Sequence, residues 1–207
     1  RDHQHILHVF ACSCGRLAER CAVRVVVELH RAAELRLKRL RKADSDHRKF
    51  LRQVFVSVDV TAPLYWWKEA DTYKVGTVRN SCSTMHKITE HEFTMDMFSH
   101  EHLFDFCPSE QHNSTDILEI TIEHLNAMRK VLNSLDQDDP LRKEYWWQLI
   151  QLLPQSYNQR RTVTLTYENL LNMVSQRRGH KLDEWRDFCD WVFTLPYAEE
   201  LLKEGLK

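Results

Sequence analysis

Two stretches of this chain hold side chains whose types could grip an anion. The first runs Asp71-Thr72-Tyr73-Lys74-Val75-Gly76-Thr77-Val78-Arg79-Asn80-Ser81-Cys82-Ser83-Thr84-Met85-His86-Lys87 and is dense in hydroxyls, an amide and cations. The second runs Leu153-Pro154-Gln155-Ser156-Tyr157-Asn158-Gln159-Arg160-Arg161, and Arg177-Arg178 follows after a strand and a helix. Lysine and arginine bring charge to a phosphate, serine and threonine bring directed hydrogen bonds, and a guanidinium can bind in bidentate fashion. The plainer reading stays open at both places. The first stretch can be a polar surface loop, and Arg177 and Arg178 can simply complement the negative end of a helix.

Side chains must do this work because the backbone cannot. The four glycines, Gly15, Gly76, Gly179 and Gly205, stand far apart. No P-loop and no G-x-G-x-x-G turn can be built from them, since both need amides brought up to phosphate without intervening Cβ atoms. Histidines and cysteines offer a second kind of chemistry. His5, His8, Cys12 and Cys14 are types that bind zinc, but their spacing matches no standard finger. His100-Glu101-His102, with His86 and His91 nearby, would present both imidazoles to one side only on a strand. No metal is therefore expected at either cluster. There is no G-x-S-x-G, H-E-x-x-H or C-x-x-C motif.

The elements that must position these groups follow from periodicity. Arg16 to Lys42 reads as a basic helix, and residues 1–45 as a leader distinct from a domain over 46–207. Asp46 to Phe50 is a helical turn, and Gln53 to Val60 alternates Val54, Val56, Val58 and Val60 as a strand ended by Pro63. Leu64 to Ala70 is an aromatic helix, Asp71 to Lys87 a loop, and Thr94 to Phe106 a loop or short helix. Ile117, Ile120, Leu125, Met128 and Leu132 mark a helix over Asp116 to Leu135. Asp139-Pro140 opens another that runs to Leu153 before Pro154. Arg160 to Thr166 alternates as a strand, and Tyr167 to Arg178 is a helix capped by Thr166 and stopped by Gly179. Helices over Asp183 to Phe193 and Tyr197 to Glu204 close the chain. The fold class is α+β, an antiparallel-type sheet with several helices.

Composition adds bounds. The chain has 207 residues, 43% hydrophobic and 29% charged, with 29 Lys+Arg against 30 Asp+Glu and a formal net charge of −1. That suits an ordinary globular domain and gives no global case for nucleic acid or an anionic membrane. The basic stretch Arg16 to Lys42 keeps a nucleic-acid arm open as a local reading. No apolar run reaches the ~18–20 residues that span a bilayer. The six cysteines form no compact framework and read as reduced thiols of a cytoplasmic protein.

Taken in order, the two anion-gripping stretches resemble the flavin-dependent thymidylate synthase family. Thr72-Tyr73-Lys74 falls where that family has R-H-R, Thr77 where it has a hydroxyl, Arg79-Asn80 where it has Asn-Glu, and Cys82 where it has its signature serine. Leu153-Pro154 and Tyr157-Asn158 resemble its L-P…Y-T turn, Asn172 and Arg177 its substrate helix, and Glu184-Trp185 its closing helix. The likeness covers roughly Asp46 to Trp191. It departs from the family in that only Lys74 of the R-H-R positions is cationic, and Leu51-Arg52 stands for a Glu-His pair. The resemblance implies the fold of the thymidylate synthase complementing protein and a homotetramer binding FAD at its interfaces. It implies conversion of dUMP to dTMP with methylenetetrahydrofolate and NADPH. On it, Lys74, Thr77, Arg79, Asn80 and Ser83 would serve the flavin, and Tyr157, Arg160, Arg161, Arg177 and Arg178 the nucleotide. No protein nucleophile is needed, since the flavin carries the hard chemistry. A non-catalytic relative binding a nucleotide or a protein is the alternative.

Overall fold

A computed structural model describes residues 23–25, 45–81, 83–106 and 111–203. These residues fall into two compact units. The first holds the described residues of Arg1–Ala62, Trp66–Asn80 and Arg160–Lys207, and the second holds those of Pro63–Tyr65 and Ser81–Gln159.

The first unit is built on a four-stranded sheet, in the order β1 (Val23–Val25), β2 (Phe55–Pro63), β4 (Asn158–Thr166) and β3 (Val78–Ser81). β1 pairs antiparallel with β2 in the register Val23↔Val58. β2 and β4 also run in opposite senses, because Thr164 bonds Ser57 and Thr162 bonds Asp59. Along β2, Val56, Val58, Val60 and Ala62 are buried, so the valine alternation that marks the strand also fills the core. That alternation continues through Thr61 and Ala62, and the strand ends at Pro63, as expected. Val23–Val25 lies inside the stretch expected to be helical. Its Val-Arg-Val composition suits a strand, and the partner edge of β2 satisfies its backbone. Residues 1–22 and 26–44 of the expected leader, with His5, His8, Cys12 and Cys14, lie outside the described residues.

Helices cover this sheet. The expected turn before β2 is a 3-10 helix, Ser45–Gln53, whose Leu51 is fully buried. It packs on α5 (Tyr167–Arg177), which begins with a capping box between Thr166 and Asn169. Around α1 (Leu64–Ala70), Trp66 meets Trp67 at 4.8 Å and Trp185 of α6 (Asp183–Val192) at 4.7 Å between ring centroids. Phe188 closes the cluster 5.7 Å from Trp185. Tyr197 has φ +58 and starts α7 (Ala198–Leu202).

In the second unit, α2 (Thr84–Lys87) and a 3-10 turn at Met95–Met97 precede two long helices, α3 (Ser114–Ser134) and α4 (Leu141–Leu152). α3 opens with a capping box of Asn113 and Asp116. Leu118, Ile122, Leu125 and Leu132 face inward with Leu149, Phe93 and Phe98. Ile117 and Ile120, whose spacing marks the helix in the sequence, are 53% and 46% exposed. The inward stripe is rotated from the one that the isoleucines suggest. β3 and α2 are also more structure than the loop expected over Asp71 to Lys87.

Candidate functional site

The first unit gathers most of the expected anion-gripping residues around the loop from Asp71 to Thr77. That loop is a built structure. Gly76 has φ +71, and a Cβ there would meet Asn169 Oδ1 at 3.2 Å. Asn169 Nδ2 in turn donates to the Val75 carbonyl at 2.7 Å, tying the turn to the start of α5.

Arg79 reaches back from β3 to the end of α1. It donates to the carbonyls of Ala70 at 2.7 Å and Tyr73 at 3.1 Å, and to the Thr77 hydroxyl at 3.1 Å. Thr77 itself donates to the Tyr73 carbonyl at 2.6 Å. The last carbonyls of a helix lack intrahelical partners, so Arg79 supplies what α1 requires. Burial lowers the pKa of its guanidinium, which nevertheless remains charged.

The adjacent arginines of β4 point to opposite faces, and each finds its own carboxylate. Arg161 Nη1 reaches both oxygens of Asp71 at 3.1 and 3.0 Å, with its guanidinium 4.4 Å over the Trp67 ring. Asp71 also lies 3.7 Å from Arg79. On the other face Arg160 bonds Asp59 at 2.5 Å, and Thr162 bonds it at 2.6 Å. The Thr162 hydroxyl and then Arg160 hold the Asp59 carboxyl below its usual pKa.

Arg177, in the last turn of α5, enters a second constellation. Its Nη1 donates to Glu69 Oε2 at 2.6 Å and its Nε to the Tyr73 hydroxyl at 2.9 Å. The same guanidinium lies 5.0 Å from the Trp185 ring and 5.6 Å from the Tyr73 ring. Glu69 Oε2 also accepts from Trp185 Nε1 at 3.1 Å and lies 3.2 Å from His180 Nε2. Tyr73 donates to Gln176 at 2.9 Å.

The remaining expected residues are placed differently. Lys74 and Asn80 are exposed, and no bond to either side chain is formed among the described residues. Arg178 is exposed and lies 5.7 Å over the Phe193 ring. Ser83 and Tyr157 belong to the second unit. Ser83 precedes α2 without capping it through its side chain. Tyr157 packs edge-on against Phe98 at 5.7 Å and Phe93 at 6.4 Å, as part of that unit's core. Among the described residues, no group of three or more His, Cys, Asp or Glu could hold a metal. No described helix is long and apolar enough to cross a membrane. Cys189 is a buried free thiol.

The carboxylates Glu69, Asp71 and Asp59 organise the site, and sequence reasoning did not single them out. Each meets its arginine across about a hundred residues of chain, where no local spacing rule applies. An apolar pocket lined by Val60, Trp66, Trp67, Arg79, Val163 and Phe188, among others, has room for about one water molecule.

No family model matches the chain, and no curated protein matches it. Solved structures do. The flavin-dependent thymidylate synthase ThyX from Helicobacter pylori, complexed with FAD and dUMP, is similar at 14% identity and a TM-score of 0.57, over 86% of this chain and 85% of that one. A second structure of thymidylate synthase X from the same organism with FAD and dUMP gives 14% identity and 0.56, over 84% and 83%. The expected α+β fold of this family is therefore the fold that the chain adopts.

Proposed function

We propose that the chain is a divergent flavin-dependent thymidylate synthase, carrying out reductive methylation of dUMP to dTMP with methylenetetrahydrofolate and NADPH, as a cytoplasmic homotetramer. The observation that carries the reading is Arg177. It ends the helix where the resemblance puts a nucleotide-binding arginine, and it is braced by Glu69, Tyr73 and Trp185. A guanidinium held on two aromatic faces is pre-organised for a phosphate oxyanion.

The donor set of the loop fits a flavin phosphate. Lys74 and Asn80 are uncommitted among the described residues and supply a charge and an amide, while Arg79 and Thr77 hold the loop's shape. Bound FAD would supply the redox and carbon-transfer chemistry. The protein's own part is to bind and orient. Arg177 would exchange part of its contact with Glu69 for the nucleotide phosphate. Arg161 and Arg178 supply further positive charge, and Ser83, Tyr157 and Arg160 are assigned to the site on resemblance.

A second reading is a non-catalytic nucleotide- or protein-binding relative. One observation favours it: Arg160, Arg161 and Arg177 each already face a carboxylate of this same chain. The two readings separate in one experiment. Purified protein is incubated with FAD, NADPH, methylenetetrahydrofolate and dUMP, and dTMP is measured beside the thermal shift produced by dUMP alone. Formation of dTMP that Arg177→Ala abolishes supports the enzyme. Stabilisation by dUMP without dTMP supports the binding protein. Neither signal overturns both nucleotide readings.

A further inference from the structure

Three N–H groups converge on one oxygen of Glu69, and they are not alike. Arg177 Nη1 is charged and donates to Oε2 at 2.6 Å, while Trp185 Nε1 is neutral and donates to it at 3.1 Å. The third is His180, whose Nε2 lies 3.2 Å from the same oxygen. The other ring nitrogen of His180 fixes where its proton sits. Nδ1 accepts from the Leu182 amide at 3.2 Å, so the neutral ring carries its hydrogen on Nε2, toward Glu69. The turn between α5 and α6 holds the ring there. The His180 amide donates to the Arg177 carbonyl at 2.9 Å, and the His180 carbonyl accepts from Arg186 Nη1 at 3.2 Å. The imidazole stands edge-on to the Trp185 ring at 6.4 Å.

A guanidinium that turns to a ligand leaves its carboxylate behind. A partly buried carboxylate stripped of its cation is costly unless other donors hold it. We infer that His180 is a positioning residue for the nucleotide site: it holds Glu69 in place when Arg177 leaves for the nucleotide phosphate, and so lowers the cost of that exchange. This role rests on the reading of Arg177 as the phosphate-binding arginine, and it names the group that releases it. Donors that share one oxygen compete for the same lone pairs, so the His180 and Trp185 contacts strengthen as Arg177 withdraws. His180 therefore favours the ligand-bound arrangement without touching the ligand. Its loss leaves Glu69 more dependent on Arg177, and the nucleotide binds less well. Removing the charge of Glu69 has the opposite sign, because it takes away the competitor itself.

Of the two neutral donors, His180 is the one open to substitution. Trp185 is fully buried, 4.7 Å from Trp66 between ring centroids and 5.0 Å from the Arg177 guanidinium. Changing it disturbs the core and the arginine together. His180 lies in a turn and is 23% exposed.

The test is calorimetric titration of the full chain with dUMP and, separately, with inorganic phosphate. Mild alkali is used, where an imidazole is neutral and its replacement removes no charge. Wild type binds both, and Arg177→Ala binds neither. His180→Ala raises the Kd for each roughly fivefold, the worth of one partly screened hydrogen bond to a charged group. His180→Gln, whose amide nitrogen takes the place of Nε2, stays within about twofold of wild type. Glu69→Gln binds more tightly than wild type, and adding His180→Ala to it changes the Kd by less than about twofold, because no charge is left to hold. His180→Phe keeps a ring without the donor and matches His180→Ala, which carries the comparison if the alanine variant is too unstable to titrate. Binding that Arg177→Ala abolishes and His180→Ala leaves unchanged overturns the role of His180 alone. So does a loss of equal size in the wild-type and Glu69→Gln backgrounds, or one that His180→Gln shares, since each marks His180 as a structural tie between α5 and α6. If wild type binds neither dUMP nor phosphate, the reading of Arg177 fails and the role of His180 fails with it.

Discussion

Glu69→Gln tests the brace around Arg177 most sharply. The substitution keeps the side-chain volume and one acceptor oxygen but removes the charge. Glu69 Oε2 now accepts from Arg177 at 2.6 Å and Trp185 at 3.1 Å, with His180 at 3.2 Å. A hydrogen bond to a charged group contributes ~1.5–3 kcal/mol when shielded. This one is partly open, with Glu69 35% and Arg177 20% exposed. Screening reduces the expected loss to about 1 kcal/mol. For a chain of this length that lowers Tm by ~2–4 °C. Urea unfolding of Glu69→Gln, Arg177→Met and the double variant isolates the pair, with an expected coupling of about 1 kcal/mol. Glu69→Gln also leaves Arg177 with more uncompensated charge, so inorganic phosphate should protect the variant against heat more than it protects wild type. A coupling below ~0.3 kcal/mol, the usual additivity error, refutes the brace.

Other expectations concern stability. Burial first, then Asp183, Asp190 and Glu184, raise the Asp187 carboxyl above its usual pKa. Its ionisation therefore opposes folding, and that penalty is absent in acid and full once the pH exceeds the raised value. Asp187→Asn should stabilise at neutral pH by ~0.5–1 kcal/mol, from three like-charge helix neighbours, and the gain should vanish below ~pH 4; an equal effect at both pH values in urea titrations contradicts this. Thr166→Ala removes the α5 cap and should cost ~1 kcal/mol, read by the shift in urea midpoint. Gly76→Ala should cost ~1–2 kcal/mol, because φ +71 and the 3.2 Å approach of Asn169 both resist a Cβ; unchanged melting would refute that. Burial pushes the Cys189 thiol up to about 11. Thiol labelling of native protein at mild alkaline pH, mapped by mass spectrometry, should leave Cys189 unmodified until unfolding.

Much of the frame was legible from local pattern. Leu64 to Ala70, the valine alternation into Pro63, and the Thr166 cap are short-range signals, and the structure places each where periodicity does. Ile117 and Ile120 helped to mark α3, but it has apolar residues on two sides, and composition does not say which side the core takes. β3 was hidden in a polar stretch because a short strand whose residues are largely exposed needs no hydrophobic alternation. The arginines were visible as cations, but their carboxylates were not. Asp59, Asp71 and Glu69 become partners only when the sheet and α5 bring distant segments together. Tyr157 was assigned to the nucleotide on the resemblance alone, and no local pattern showed that its ring packs with Phe93 and Phe98.

The central claim is that this fold still holds a flavin through the loop bearing Lys74, Arg79 and Asn80. The direct measurement is the visible absorbance of the purified full chain, before and after incubation with FAD and removal of free flavin by gel filtration. The account predicts a protein-associated flavin band in the blue that Lys74→Ala diminishes. A protein that remains colourless after loading contradicts it.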